Sequence, residues 1–219
     1  MAELGKIEKP EASNFSAKRK LYVIPTLPFE ELSMQYDIGM KVERFWGEVR
    51  EKINYFISTY GNINTLYLEG INEDQKSGQE YLEKLGKENN YYKLLKDLID
   101  GGAVIRGIEE SGRMEKLKLL FEEYSKSFLP EIKEFHMAYY GKDINFEGWR
   151  EYLVKNITEM QDEMGKSATR ILGELPPDSS GVLIISDGRP VEFPEGIDVF
   201  QIRPPAFDEI ERNIRHKIK

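Results

Sequence analysis

The run Ser179-Ser180-Gly181-Val182-Leu183-Ile184-Ile185-Ser186-Asp187-Gly188-Arg189 constrains the fold more than any other stretch of the chain. Four consecutive aliphatic residues between glycines leave no polar face. The segment therefore reads as a strand buried on both sides, the pattern of the middle of a parallel sheet. Its polarity changes abruptly at Ser186. In an open α/β sheet, ligands collect beyond the carboxyl ends of the strands, which puts Ser186, Asp187 and Arg189 where a site is expected.

The remaining chain supplies partners for that strand. Further strands are expected at Lys20–Ile24, Asn64–Leu68, Ala103–Ile108 and Ile197–Ile202. Pro25 and Pro28 are expected to end the first of these and lead it out as a shaped loop. Apolar residues at three/four spacing predict helices over 35–60, 79–85, 91–99 (capped by Asn90), 113–128, 130–140 and 147–172, and from Pro205 to the end. Asp187-Gly188 offers a hairpin turn into an edge strand at Val191–Phe193. Ile197–Ile202 follows too soon for a long helical crossover, which leaves an antiparallel direction open for it. The expected architecture is a single α/β domain over 20–219, with a mostly parallel central sheet covered by helices on both faces. Residues 1–19 lack any period and read as a flexible arm.

Composition removes several chemistries. The 219 residues include no cysteine and only two histidines, His136 and His216, so disulfides, thiolate zinc, iron–sulfur clusters and cysteine nucleophiles are excluded, as is a histidine-rich metal site. Any metal would be hard and oxygen-ligated, Mg²⁺ or Mn²⁺. A net charge of −8 argues against a nucleic-acid or anionic-membrane surface. With no secretory signal and no long apolar run, the expectation is a soluble cytoplasmic protein. Its high Lys and Glu content resembles thermophile composition.

Parallel strands would gather Thr26, Glu69, Arg106, Glu109, Glu110, Asp187 and Arg189 along one edge. Carboxylates near arginines in a partly dry crevice could bind a ligand, exchange protons or hold a divalent ion. Charges also cap strands simply because the chain emerges into water. Glu69 leads the candidates, since Leu66-Tyr67-Leu68-Glu69-Gly70 aims one carboxylate out of an apolar strand.

The ordering of these motifs, with Leu68-Glu69-Gly70, the late strand Gly181-Val182-Leu183-Ile184-Ile185 and Lys155-Asn156-Ile157-Thr158-Glu159-Met160, resembles the erythromycin-esterase/ChaN-like and TraB/Tiki superfamily across roughly residues 20–205. The resemblance implies two G-x-x-H motifs, after the first and the late strands. This chain instead reads Ile24-Pro25-Thr26-Leu27 and Ser186-Asp187-Gly188-Arg189. Only Glu69, and secondarily Asn156, carry over, so the family's hydrolysis does not transfer directly.

No G-x-S-x-G, G-x-G-x-x-G or P-loop pattern is present. His136 and His216 read as packing and helix-end residues. The methionines 160 and 164 read as core, and the pairs Tyr91-Tyr92 and Tyr139-Tyr140 as half-buried packing that could also serve a homo-oligomer. The functional expectation is a catalytically degenerate or divergent member of that superfamily, binding a small polar ligand or a protein partner at the strand ends. The alternative is a divalent-metal-dependent hydrolase using the strand-end carboxylates.

Overall fold

The computed structural model describes residues 19–72, 78–83, 85–129 and 146–217. The expected N-terminal arm short of Arg19, the helix at 130–140, His136 and the pair Tyr139-Tyr140 lie outside these residues. Strands β1 (Arg19–Thr26), β2 (Thr65–Asn72), β3 (Val104–Glu109), β4 (Ser180–Ser186) and β5 (Ile197–Gln201) form one sheet in the order β3-β2-β4-β1-β5. All four pairings are parallel. The strand read as central is the middle one.

Helices cover both faces because the strands bury alternate side chains on opposite sides. Tyr22, Ile24, Leu66, Leu68, Val182 and Ile184 pack under α2 (Gly39–Tyr60), α4 (Asn90–Asp100) and α7 (Pro205–Lys217). Leu21, Val23, Tyr67, Leu183 and Ile185 face Ala168, Ile171 and Leu172 of α6 (Phe146–Gly173). Helix α5 (Arg113–Lys126) packs on α6, its Leu117 against Ile157 and Met164. Two short helices, α1 (Phe29–Tyr36) and α3 (Gly78–Glu83), are the remaining elements among the described residues.

The structure corrects five local expectations. Pro25 does not end β1; it pairs with Ile185. Carbonyl 23 accepts from Ile202 on the β5 side and carbonyl 26 from Asp187 on the β4 side, so odd residues of β1 face β5. The missing N–H of Pro25 thus points past the end of the β5 ladder, where no partner is lost. The helix expected at 35–60 is two helices, because Asp37 takes a left-handed conformation (φ 50°) that ends α1 and drops Ile38 into the core. The cap of α4 is Asn89, whose side chain accepts from the Tyr92 N–H, while Asn90 bonds Glu43. Val191–Phe193 is no strand.

β5 is parallel, not antiparallel, although no helix precedes it. Stepping past β1 and back along the sheet requires roughly 20 Å, and ten extended residues, 187–196, reach about 33 Å. Val191 and Phe193 pack on the α6-side core along the way, doing the work of a crossover helix.

Tyr22 supplies a test of this core. Its ring stacks on Phe56 at 4.6 Å, and burial, with Tyr60 adding, pushes its hydroxyl up from 10.0 to about 12. A raised folded-state value means stability that is intact below pH 10 and lost as pH climbs toward 12. Alkaline unfolding curves should therefore fall by about 2 kcal/mol more in the wild type than in Tyr22→Phe across that window. Equal slopes would place the hydroxyl in water.

Candidate functional site

Helix placement makes a crevice at the carboxyl end of β4. The chain leaves β1 and β2 toward the α2/α4 face, whereas the chain leaving β4 runs over the α6 face. A gap opens where neighbouring connections diverge. It is about 870 Å³, and its floor comprises Thr26, Leu68, Glu69, Ile184, Ser186 and Arg189. One wall carries Phe29, Val42, Trp46 and Tyr91; the other carries Met114, Leu117, Phe121 and Met164.

An ion-paired cluster forms the base of this floor. The Arg189 N–H closes a turn onto the Ser186 carbonyl at 3.2 Å, with Gly188 at φ 79°, and the turn sends the guanidinium back over the sheet. Its Nη2 donates to Glu109 Oε2 at 3.0 Å and its Nη1 to Glu109 Oε1, a two-pronged contact with a carboxylate wholly removed from solvent. Nη1 also donates to Glu69 Oε1 at 2.7 Å, and Glu69 Oε2 accepts the Ser186 backbone N–H. Burial depresses the guanidinium, but Glu109 and then Glu69 outweigh it and leave its pKa above the ordinary value. The arginine is therefore a permanent cation holding three strand ends, those of β2, β3 and β4, together.

Three glycines make this geometry attainable. β2 does not stop at Leu68. A register shift between Leu68 and Asn72 carries the chain across Gly107, where a Cβ would sit 2.1 Å from the Ile71 carbonyl oxygen. The bulge, with Gly70 at φ 80°, sets Glu69 beside Glu109. On α6, a Cβ on Gly165 would lie 2.2 Å from the Pro190 carbonyl oxygen, so the loop carrying Arg189 rests directly on bare helix backbone. Thr169 clips the same loop by donating to the Glu192 carbonyl at 2.7 Å.

Of the residues expected from sequence, Thr26, Glu69, Asp187 and Arg189 line the crevice and Glu109 sits behind them. Asp187 is held by Arg203 at 3.2 Å. Three others are elsewhere. Arg106 bonds Glu174 at 2.8 Å, next to the start of β4 and hence at the amino edge of the sheet, away from the edge where it was expected. Glu110 closes a polar triangle with Ser167 and Arg113. Asn156 turns back to donate to the Tyr152 carbonyl on its own helix, at 2.6 Å, and does not line the crevice. Sequence reasoning missed Glu30, Glu31, Trp46, Tyr91 and Lys118 as lining residues. The signal for the first two was available: Pro28 followed by paired glutamates is a helix-start signature.

Among the described residues no group of three or more histidine, cysteine, aspartate or glutamate side chains could hold a metal ion, and no helix is long and apolar enough to cross a membrane. The two carboxylates that converge, Glu69 and Glu109, are both engaged by Arg189. No protein-family model, curated protein or solved structure matches the chain.

Two outcomes check the cluster. Gly165→Ala should cost about 1–3 kcal/mol in urea unfolding through forced displacement of the Arg189 loop, whereas Gly39→Ala, with open space around it, should be neutral or stabilising. Equal effects would mean that the loop does not rest on α6. Wild type and Glu69→Gln should show the same melting response to Mg²⁺ and Mn²⁺, with the variant about 1–2 kcal/mol less stable. An ion stabilisation confined to the wild type would restore the metal reading.

Proposed function

We propose that the chain is a binding protein whose ligand is a small molecule with a polar end and an apolar body, seated in the crevice above β4. The observation that supports this most is the contrast between a few neutral polar groups and the apolar remainder of the lining. Thr26, Ser33, Ser186 and Gln161 line the space with hydroxyl and amide groups that bond no described side chain, while aromatic, leucine and methionine side chains form most of the walls. A few placed polar groups within apolar walls is the usual composition of a small-molecule site.

The reading is of binding rather than hydrolysis because the carboxylates expected to activate water are committed. Glu69 and Glu109 share one arginine, and Asp187 is paired with Arg203. A metal-dependent hydrolase would have to break a buried ion pair to free its ligands, which costs several kcal/mol. The resemblance to the erythromycin-esterase/ChaN-like and TraB/Tiki superfamily contributes Glu69 alone, at the floor. Asn156, its other counterpart, lies off the crevice. The reading is therefore of a degenerate member at most, with Arg189 occupying the segment where the second histidine motif would stand.

Trp46 offers a direct readout, since it lines the crevice and the chain has only two tryptophans. In a Trp149→Phe background, the neutral dye N-phenyl-1-naphthylamine should quench Trp46 by energy transfer and saturate at one dye per chain. Ser186→Phe, which fills the floor, should weaken the dye at least tenfold with little change in melting temperature. Absence of saturable quenching, or unchanged affinity in Ser186→Phe, would refute the reading.

A further inference from the structure

We propose that the crevice selects organic cations: an ammonium group carried on an apolar or aromatic body. This inference rests on the binding reading above and adds the charge of the ligand.

The first observation is the balance of charges that remains after internal pairing. Arg189 is spent on Glu69 and Glu109, and Asp187 is spent on Arg203. Among lining residues this leaves three carboxylates, Glu30, Glu31 and Glu43, and one amine, Lys118. Glu43 is anchored by accepting the Asn90 backbone N–H at 2.9 Å, which orients it without neutralising it. Glu30 and Glu31 form no ion pair among the described residues, and neither does Lys118. Three carboxylates against one amine in a cleft with low-dielectric walls focus a negative potential into it.

The second observation is independent of charge. Next to those carboxylates stands a set of aromatic rings fixed against one another. Trp46 and Tyr91 lie 4.4 Å apart between centroids, and Phe29 meets Trp46 edge-on at 6.1 Å. Tyr91 is held in place by the bond between its hydroxyl and that of Tyr81 at 3.0 Å. Trp46 is only 5% exposed and borders the crevice. Rings presented beside carboxylates and shielded from water are the combination that attracts an ammonium group through both ion–charge and cation–π terms. Burial and the neighbouring Tyr81 raise the Tyr91 hydroxyl well above its ordinary value, so the wall stays neutral across the physiological range.

An anionic ligand finds no equivalent. The guanidinium at the floor already has carboxylates on both Nη atoms, and displacing one would leave a buried carboxylate uncovered. Lys118, on the α5 wall opposite the aromatic set, is the one lining cation without a carboxylate partner among the described residues.

The test compares three ligands of one shape and different charge, 4-phenylbutylamine, 4-phenylbutanol and 4-phenylbutyrate, in displacement of N-phenyl-1-naphthylamine at pH 7. The amine should bind about tenfold or more tightly than the alcohol, and the butyrate most weakly. High salt should narrow the amine's advantage. In Glu30→Gln/Glu31→Gln the amine should fall toward the alcohol while the alcohol is unchanged. Equal affinities for all three, or the butyrate tightest, would overturn the cation inference and leave the binding reading standing. A double variant that keeps the full amine preference would overturn the role of these glutamates and with it the charge argument. If the dye itself does not bind, the binding reading fails and takes this inference with it.

Discussion

Glu109 is the constraint from which the sheet end is built. A carboxylate with no solvent exposure at the end of β3 is tolerated only if a cation covers it and its lone pairs are satisfied, since an uncompensated buried charge costs several kcal/mol. Arg189 meets that demand with two nitrogens and uses Nη1 to take Glu69 as well. Three strands that the chain reaches at separate times thereby converge on one guanidinium. The β2 bulge, the Gly188 turn and the bare backbone at Gly165 all serve to bring those groups within hydrogen-bond reach. Replacing the whole set with hydrophobes of similar volume could be neutral for stability, so what the cluster provides is register and placement at the crevice floor.

The same cluster determines what the crevice can do. Once Arg189 is occupied, the floor offers the hydroxyls of Thr26 and Ser186, and free charge is left to the walls. Those walls are unequal. Helix α1, the start of α2 and Tyr91 of α4 bring glutamates and a cluster of aromatic rings, whereas α5 and α6 bring Leu117, Phe121, two methionines, Gln161 and a single lysine. The proposed ligand, one end held by charge and rings and the other by apolar contact, suits that asymmetry and makes no demand on the paired carboxylates.

Much of the fold was legible from residue pattern. The unbroken apolar run at 182–185 could sit only in a sheet covered on both faces, and it is the middle strand. Periodicity located most described helices because their buried faces recur every three or four residues. Legibility ended where tertiary context decides. Pro25 reads as a strand breaker, yet it lies where the neighbouring ladder has already ended. The direction of β5 depended on whether ten residues could cross the sheet without a helix, which two packed side chains, Val191 and Phe193, resolve. At the site, Glu69, Glu109 and Arg189 were each singled out from strand-end position, but their partition into one cluster was not readable, because it depends on a bulge that re-aims Glu69. Arg106 fooled the same logic: a residue inside a strand can send a long side chain toward either edge. The aromatic wall was invisible because Trp46 and Tyr91 occupy helix positions indistinguishable from ordinary core.

Whether Glu109 and Arg189 act as one unit is measured most directly by a double-mutant cycle. Urea unfolding of the wild type, Glu109→Gln, Arg189→Met and the double variant gives their coupling free energy. Each single variant should lose about 3–5 kcal/mol and the double variant no more than either, a coupling of roughly 3 kcal/mol or greater. Additive losses, with coupling below about 0.5 kcal/mol, would contradict this and show that the two residues stabilise the sheet end independently.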